Sequence, residues 1–318
     1  MSLKGKRMSS RLLGLIWPSS STKYLFFGGK GGVGKTTVAA ATAIWFADCG
    51  KKTTIISTDP TVSLSAIFGQ QIDGKHLTQI RGIPNLAGLN INPNDAVGVF
   101  QTRLRALSRE IAEVLDEDAL HTPCSEEMAT FDQFVTFLEN PPSEVIVFDT
   151  APTGKSLREI AMPFNWAGFL RKEVVEGKRL GDFISLDSTS IDSLEKDEAR
   201  YEIAIGVLRD TQTTVFTLVL LPERLPIEET HSAISSLGKL GIRVQALVVN
   251  QCLDNNVVNG NKFLEARRNL QARYIAKIDS VFSDLTMAQL PLLDRDVSDV
   301  STLREIGNIL YGLPLCKS

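Results

Sequence analysis

Residues 29–37 read Gly29, Lys30, Gly31, Gly32, Val33, Gly34, Lys35, Thr36 and Thr37. The spacing Gly-x-x-x-x-Gly-Lys-Thr is that of a loop that wraps phosphate. Its glycines let successive backbone N–H groups, from Gly29 to Thr37, curl around phosphate oxygens, and the helix that follows adds a favourable dipole. Lys35 would neutralise charge on the β- and γ-phosphates, and the Thr36 hydroxyl would bind Mg²⁺. The chemistry implied is binding and hydrolysis of a nucleoside triphosphate with Mg²⁺. Lys30 is surplus to that chemistry, because a lysine next to Gly29 cannot readily serve the same phosphates as Lys35. Either it is a solvated surface lysine, or it reaches a nucleotide held by another subunit.

Such a loop needs a strand before it and a helix after it. Residues 24–27 form an apolar run, and residues 36–48 have helical character. Further strand-like runs fall at 53–57, 88–91, 144–148, 215–221, 244–249 and 286–290, with another helix at 228–240. The runs are nearly continuous in apolar character, as strands buried on both faces of a parallel sheet require. Their alternation with helices predicts a doubly wound, mostly parallel α/β sheet. Asp59 and Asp149 follow two of these runs, at the carboxyl ends of strands, where such folds bind ligands.

Two intervals, about 95–140 and 157–210, exceed what a crossover needs. In the first, Val97, Phe100, Leu104, Leu107, Ile111 and Val114 recur at spacings of three and four, one apolar helical face. Together the intervals predict a helical subdomain, either packed as ordinary core or offering a groove for a client. Phe164, Trp166, Phe169 and Leu170 have the same two readings; Met128 and Met162 are few for a groove that adapts to varied partners. The resulting organisation is an N-terminal arm over 1–22, read as mobile, and a single domain over 23–318.

The chain has 318 residues, 43% hydrophobic and 22% charged, with a net charge of −3. That balance suits a soluble enzyme and gives no electrostatic case for a nucleic-acid partner. No apolar run is long enough to span a bilayer, so no stable membrane insertion is expected. The four cysteines include no C-x-x-C pair and read as reduced thiols of a cytoplasmic protein. His76, His121 and His231 lack metal-ligand spacing. The basic stretch 262–277 predicts an amphipathic helix with Phe263, Leu264, Leu270 and Ile275 on or near its buried side.

The loop with its second lysine, GKGGVGKTT, resembles the deviant Walker A motif of the superfamily containing ParA, MinD, the nitrogenase iron protein and ArsA. Residues 56–69, ISTDPTVSLSAIFG, resemble switch I of the ArsA-type ATPases, and 145–158, VIVFDTAPTGKSLR, resemble their switch II. Residues 219–252, with VVNQ near their end, resemble a later strand–helix–strand of the same branch. This branch includes the arsenite-pump ATPase and the ATPase that targets tail-anchored membrane proteins; the pump ATPase fuses two such units.

The resemblance implies roles residue by residue. Lys30 would act in trans in a nucleotide-linked homodimer. Asp59 would orient the attacking water, and Asp149 would hold Mg²⁺ through water. Asp59, Pro60, Asp149, Pro152 and Gly154 would form the switches. Asn250 would read the adenine, with Glu223 nearby and Pro291 opening a loop that closes over the base. Where the family has histidines, this chain has Val62 and Lys155. It also lacks the zinc-binding C-x-x-C after VNQ, and Cys124 is the only cysteine in the expected helical region.

The function implied is an ATP-driven dimeric switch that captures hydrophobic helices of membrane proteins. The alternatives are the catalytic subunit of an arsenite or anion pump, and a positioning ATPase of the ParA/MinD type.

Overall fold

The computed structural model describes residues 12–18, 22–58, 64–91, 123–150, 188–254, 258, 260–297 and 299–314. Two compact units are resolved, one of residues 1–90, 143–156 and 211–318, the other of 91–142 and 157–210.

The first unit is built on an eight-stranded sheet. In chain order its elements are β1 (Lys23–Gly28), α1 (Lys35–Asp48), β2 (Thr53–Ser57), α2 (Leu64–Phe68), β3 (Thr78–Gln79), β4 (Leu86–Asn90), β5 (Val145–Asp149), β6 (Thr214–Leu220), α5 (Arg224–Lys239), β7 (Val244–Cys252), α6 (Lys262–Val281), β8 (Thr286–Pro291) and α7 (Val300–Tyr311). The second unit contributes α3 (Pro123–Glu139) and α4 (Ser188–Arg209).

The strand order is β3-β4-β2-β5-β1-β6-β7-β8. Neighbours run parallel except β3 and β4, which pair antiparallel through two residues. This is the doubly wound, mostly parallel sheet that the alternating pattern predicts. β1 lies between β5 and β6, with Phe26 in register with Phe148 and Phe216. The three rings stack at 4.6 and 4.5 Å between centroids, so the strand that carries the loop is locked into its neighbours.

The other sheet face packs on α1. That helix is buried nearly all round, because Ala39, Ala40, Ala41 and Ala43 let neighbouring elements approach closely. α7 seals it: Thr42 Oγ1 lies 2.7 Å from the Tyr311 hydroxyl, and Trp45 Nε1 donates to the Gly312 carbonyl at 2.7 Å. Arg304 forks onto both carboxylate oxygens of Asp48 at 2.8 and 3.1 Å.

Two expectations need correction. Residues 12–18, read as part of a mobile arm, pack into this core. Leu12 and Ile16, one helical turn apart, are both buried, and Trp17 meets Trp45 edge-on at 6.0 Å. On α6, Phe263 is 75% and Leu270 39% exposed, while Gln271 and Ile278 are buried. The inward stripe runs through half-buried 264 and 275 and buried 271 and 278, so Phe263 and Leu270 fall one residue off it.

Within the second unit, Arg200 of α4 ties onto α3. It reaches Asp132 Oδ1 at 2.5 Å, Glu139 Oε2 at 2.6 Å and the Thr136 hydroxyl at 2.7 Å. Burial works against the guanidinium charge, but Asp132 and Glu139 outweigh it and hold the pKa of Arg200 above its ordinary value.

Candidate nucleotide site

β1 ends at Gly28 and the chain turns through the glycine loop into α1. Gly29 has φ 145° and Gly34 φ 94°, backbone that disfavours any side chain. The surroundings add a second reason. A Cβ on Gly29 would lie 2.3 Å from the Val219 carbonyl oxygen of β6, and one on Gly34 would lie 2.4 Å from Nδ2 of Asn250. α1 begins without a capping side chain and has no acidic residue in its first turn. Its N–H groups and positive dipole end are therefore suited to an external anion.

Lys35 and Thr36 sit at that helix start, both buried. Lys35 Nζ donates to the Lys30 carbonyl at 3.3 Å, so the lysine already points into the loop it would serve. Val33 is buried under the loop, whereas Gly31 and Gly32 are exposed to solvent. The Lys30 side chain turns the other way. Its Nζ lies 3.0 Å from Glu229 Oε1 on α5, with the two side chains 37% and 34% exposed.

Asp149 ends β5, in register with Phe27 of β1 on one side and Ser57 of β2 on the other. It is fully buried, and Ser57 Oγ donates to its Oδ2 at 3.1 Å. The Thr58 N–H donates to the Asp149 carbonyl, and Thr150 fastens the next residue to Phe27 O through both its hydroxyl and its N–H. A hydroxyl on the first turn of α1 and a buried carboxylate on the adjoining strand are the donor set of a hard cation beside phosphate. The residues thus fit Mg²⁺ with a nucleotide: Thr36 and Asp149 would hold the ion, which would neutralise developing phosphate charge.

A cavity of 520 Å³ opens beside the loop, lined by Gly34, Thr37, Asn250, Gln251, the chain from Leu290 to Val297, and Ile306 and Ile309. Its size suits a small ligand, and its lining mixes leucine, valine and isoleucine with Thr37, Asn250, Gln251, Asp294, Arg295 and Asp296, so it offers apolar contact for a ring face and polar groups for its edge. Asn250 connects this cavity to the phosphate loop. Its Nδ2 donates to Val33 O at 2.9 Å, and its Oδ1 accepts from the Gln251 N–H at 2.9 Å. Gln251 is left-handed at φ 57°, and Gln271 of α6 fixes that turn by donating to its carbonyl and accepting from Leu253 N–H.

The fold therefore brings together the loop from Gly29 to Thr37, Asn250 and Pro291, with Asp149 at the end of an adjoining strand. Glu223 is not in the cavity lining; it precedes α5 and its carboxylate pairs with Arg267 of α6. Asp59, Pro60, Val62, Pro152, Gly154 and Lys155 lie outside the described residues, as do the apolar face at 97–114 and the aromatic cluster at 164–170. Glu229 and Gln271 carry no sequence signal of a site role, except that Gln271 is a polar residue on the buried stripe of α6.

Residues 22–312 match the anion-transporting ATPase family. A Halobacterium salinarum protein named for driving an arsenical pump is 38% identical over 92% of this chain, which spans only 44% of that protein's length. An Aquifex aeolicus protein named in the same way is 31% identical, with 91% of this chain and 99% of that protein covered. The ATPase GET3 of Mycosarcoma maydis is 29% identical, with 93% and 92% covered.

Proposed function

We propose that this chain, which belongs to the anion-transporting ATPase family, is a Mg-ATP-driven homodimeric switch that captures hydrophobic helices of membrane proteins. The observation that carries the reading is the opposed placement of its two loop lysines. Lys35 is buried and turned into its own loop, whereas Lys30 stands on the surface with its ammonium directed away from it. An ammonium so placed suits a phosphate brought up by a second subunit, and hydrolysis then depends on two chains meeting. Asp59 orients the attacking water, and Asp149 with Thr36 holds Mg²⁺. The base lies in the cavity beside Asn250 and Pro291, and the switch segments at 59–60 and 149–154 order with the γ-phosphate.

Capture of hydrophobic helices is preferred to pumping because Cys124 is the only cysteine in the expected helical region, too few thiols for a metalloid site. Single-unit length does not separate the two, since the GET3 relative and the Aquifex relative are both matched nearly end to end. No helix among the described residues is long and apolar enough to cross a membrane. The arsenical names of two relatives keep a second reading in view, that of the ATPase subunit of an anion pump.

The deciding experiment co-expresses Asp59→Asn with a protein bearing one C-terminal hydrophobic helix. Nucleotide-sensitive co-purification, lost in Lys35→Ala, supports capture. Failure to capture any of several helices by a folded, ATP-binding protein overturns it. Stimulation of hydrolysis by arsenite or antimonite would then favour the pump.

A further inference from the structure

We infer that Glu229 is a positioning residue that holds Lys30 against its own subunit until a partner arrives; this rests on the reading of Lys30 as a lysine that acts in trans. Lys30 and Glu229 are far apart in sequence, and the fold itself makes them neighbours. β1 and β6 run parallel and adjacent, with Gly28 in register with Leu218. The glycine loop leaves β1 and α5 follows β6 at the same, carboxyl end of these parallel strands, so the loop faces the early turns of α5. Gly29 fixes the approach, because its α-carbon is pressed against the Val219 carbonyl so closely that a Cβ there would overlap it. Glu229 then meets Lys30 Nζ at 3.0 Å.

Lys30 is held at both ends. Its carbonyl accepts from Lys35 Nζ at 3.3 Å, and its ammonium rests on Glu229. Neighbouring acidic side chains are engaged elsewhere: Glu228 of α5 pairs with Arg224 at 3.0 Å, and Glu223, just before α5, with Arg267. Phosphate entering the loop competes with the Lys30 carbonyl for Lys35 and frees one end. A second subunit's phosphate competes with Glu229 for the ammonium and frees the other. The pair is partly exposed, so it biases the lysine by no more than about fivefold. That is strong enough to disfavour dimers formed without nucleotide and weak enough for a triphosphate to overcome.

The test is the ATPase rate per subunit as a function of protein concentration, for wild type, Glu229→Gln, Glu229→Asp, Lys30→Ala and the double variant Glu229→Gln/Lys30→Ala. Release of the lysine predicts that Glu229→Gln reaches half-maximal rate at a lower protein concentration, by about two- to fivefold per subunit, with Glu229→Asp in between. Salt screens both the Glu229 tie and the attraction of Lys30 to the partner's phosphate, so the gap between wild type and Glu229→Gln should narrow as salt rises. In the Lys30→Ala background, where turnover is lost, Glu229→Gln should leave nucleotide-dependent self-association, followed by sedimentation, unchanged. A Glu229→Gln protein whose concentration dependence is that of wild type, or whose self-association shifts equally with and without Lys30, overturns the inference. If Lys30→Ala itself leaves the concentration dependence intact, the trans reading beneath it fails instead.

Discussion

Gly34→Ala tests whether Asn250 and the phosphate loop form one mechanical unit. Gly34 sits at φ 94°, where an L-residue costs roughly 1–2 kcal/mol. The added Cβ would lie 2.4 Å from Asn250 Nδ2, closer than any real contact, so the amide must move. Moving it breaks its bonds to Val33 O and from Gln251 N–H, at about 1 kcal/mol each. The total, about 3–4 kcal/mol, is the ceiling on the loss of nucleotide affinity, reached when the free variant's loop relaxes and phosphate binding must restore this conformation. Asn250→Ala alone forfeits the same two bonds, about 2 kcal/mol or a 30-fold weaker Kd. The bonds cannot be lost twice, so the double variant should bind like Gly34→Ala alone, a coupling of about 2 kcal/mol. Titration calorimetry with a non-hydrolysable ATP analogue across the four proteins measures this. Losses that add within about 0.5 kcal/mol would refute the brace.

Gly29→Ala should be worse, because its Cβ meets the backbone carbonyl of Val219 rather than a movable side chain; near-normal ATP affinity in that variant would contradict the packing of the loop on β6. Asp132→Asn leaves the buried Arg200 guanidinium undercompensated and should cost about 3 kcal/mol in urea unfolding, against less than about 1 kcal/mol if the network were incidental. Burial pushes the Cys252 thiol up to about 12, so the reactive thiolate is scarce at neutral pH. Alkylation mapped by mass spectrometry should be slow there and should accelerate about tenfold per pH unit towards that value. Labelling at pH 8 at the rate of a free thiol would contradict the burial.

The strands were legible because each central run is apolar on both faces, and β2 over Thr53–Ser57 needed no adjustment. β3 escaped because a two-residue antiparallel edge carries no periodicity. The phosphate loop was legible because its glycines answer to local backbone demands that spacing alone reveals. The partner of Lys30 was not, since Glu229 becomes a neighbour only once β1 and β6 are known to be adjacent. The misplacement on α6 has a similar origin. Phe263 and Leu270 look buried by hydropathy, but Gln271 takes the inner position because two backbone groups at the β7 turn need its amide.

The most direct test of the central claim is complementation between two inactive variants. Lys30→Ala retains its own Lys35, and Lys35→Ala retains its own Lys30. If Lys30 serves the partner's nucleotide, a mixed dimer has one complete site of two. An equal mixture in which half the dimers are mixed should then recover about a quarter of wild-type ATPase activity. If Lys30 serves only its own loop, no mixture of the two can build a complete site. Activity would stay at the level of the separate variants, and the dimeric switch would be wrong.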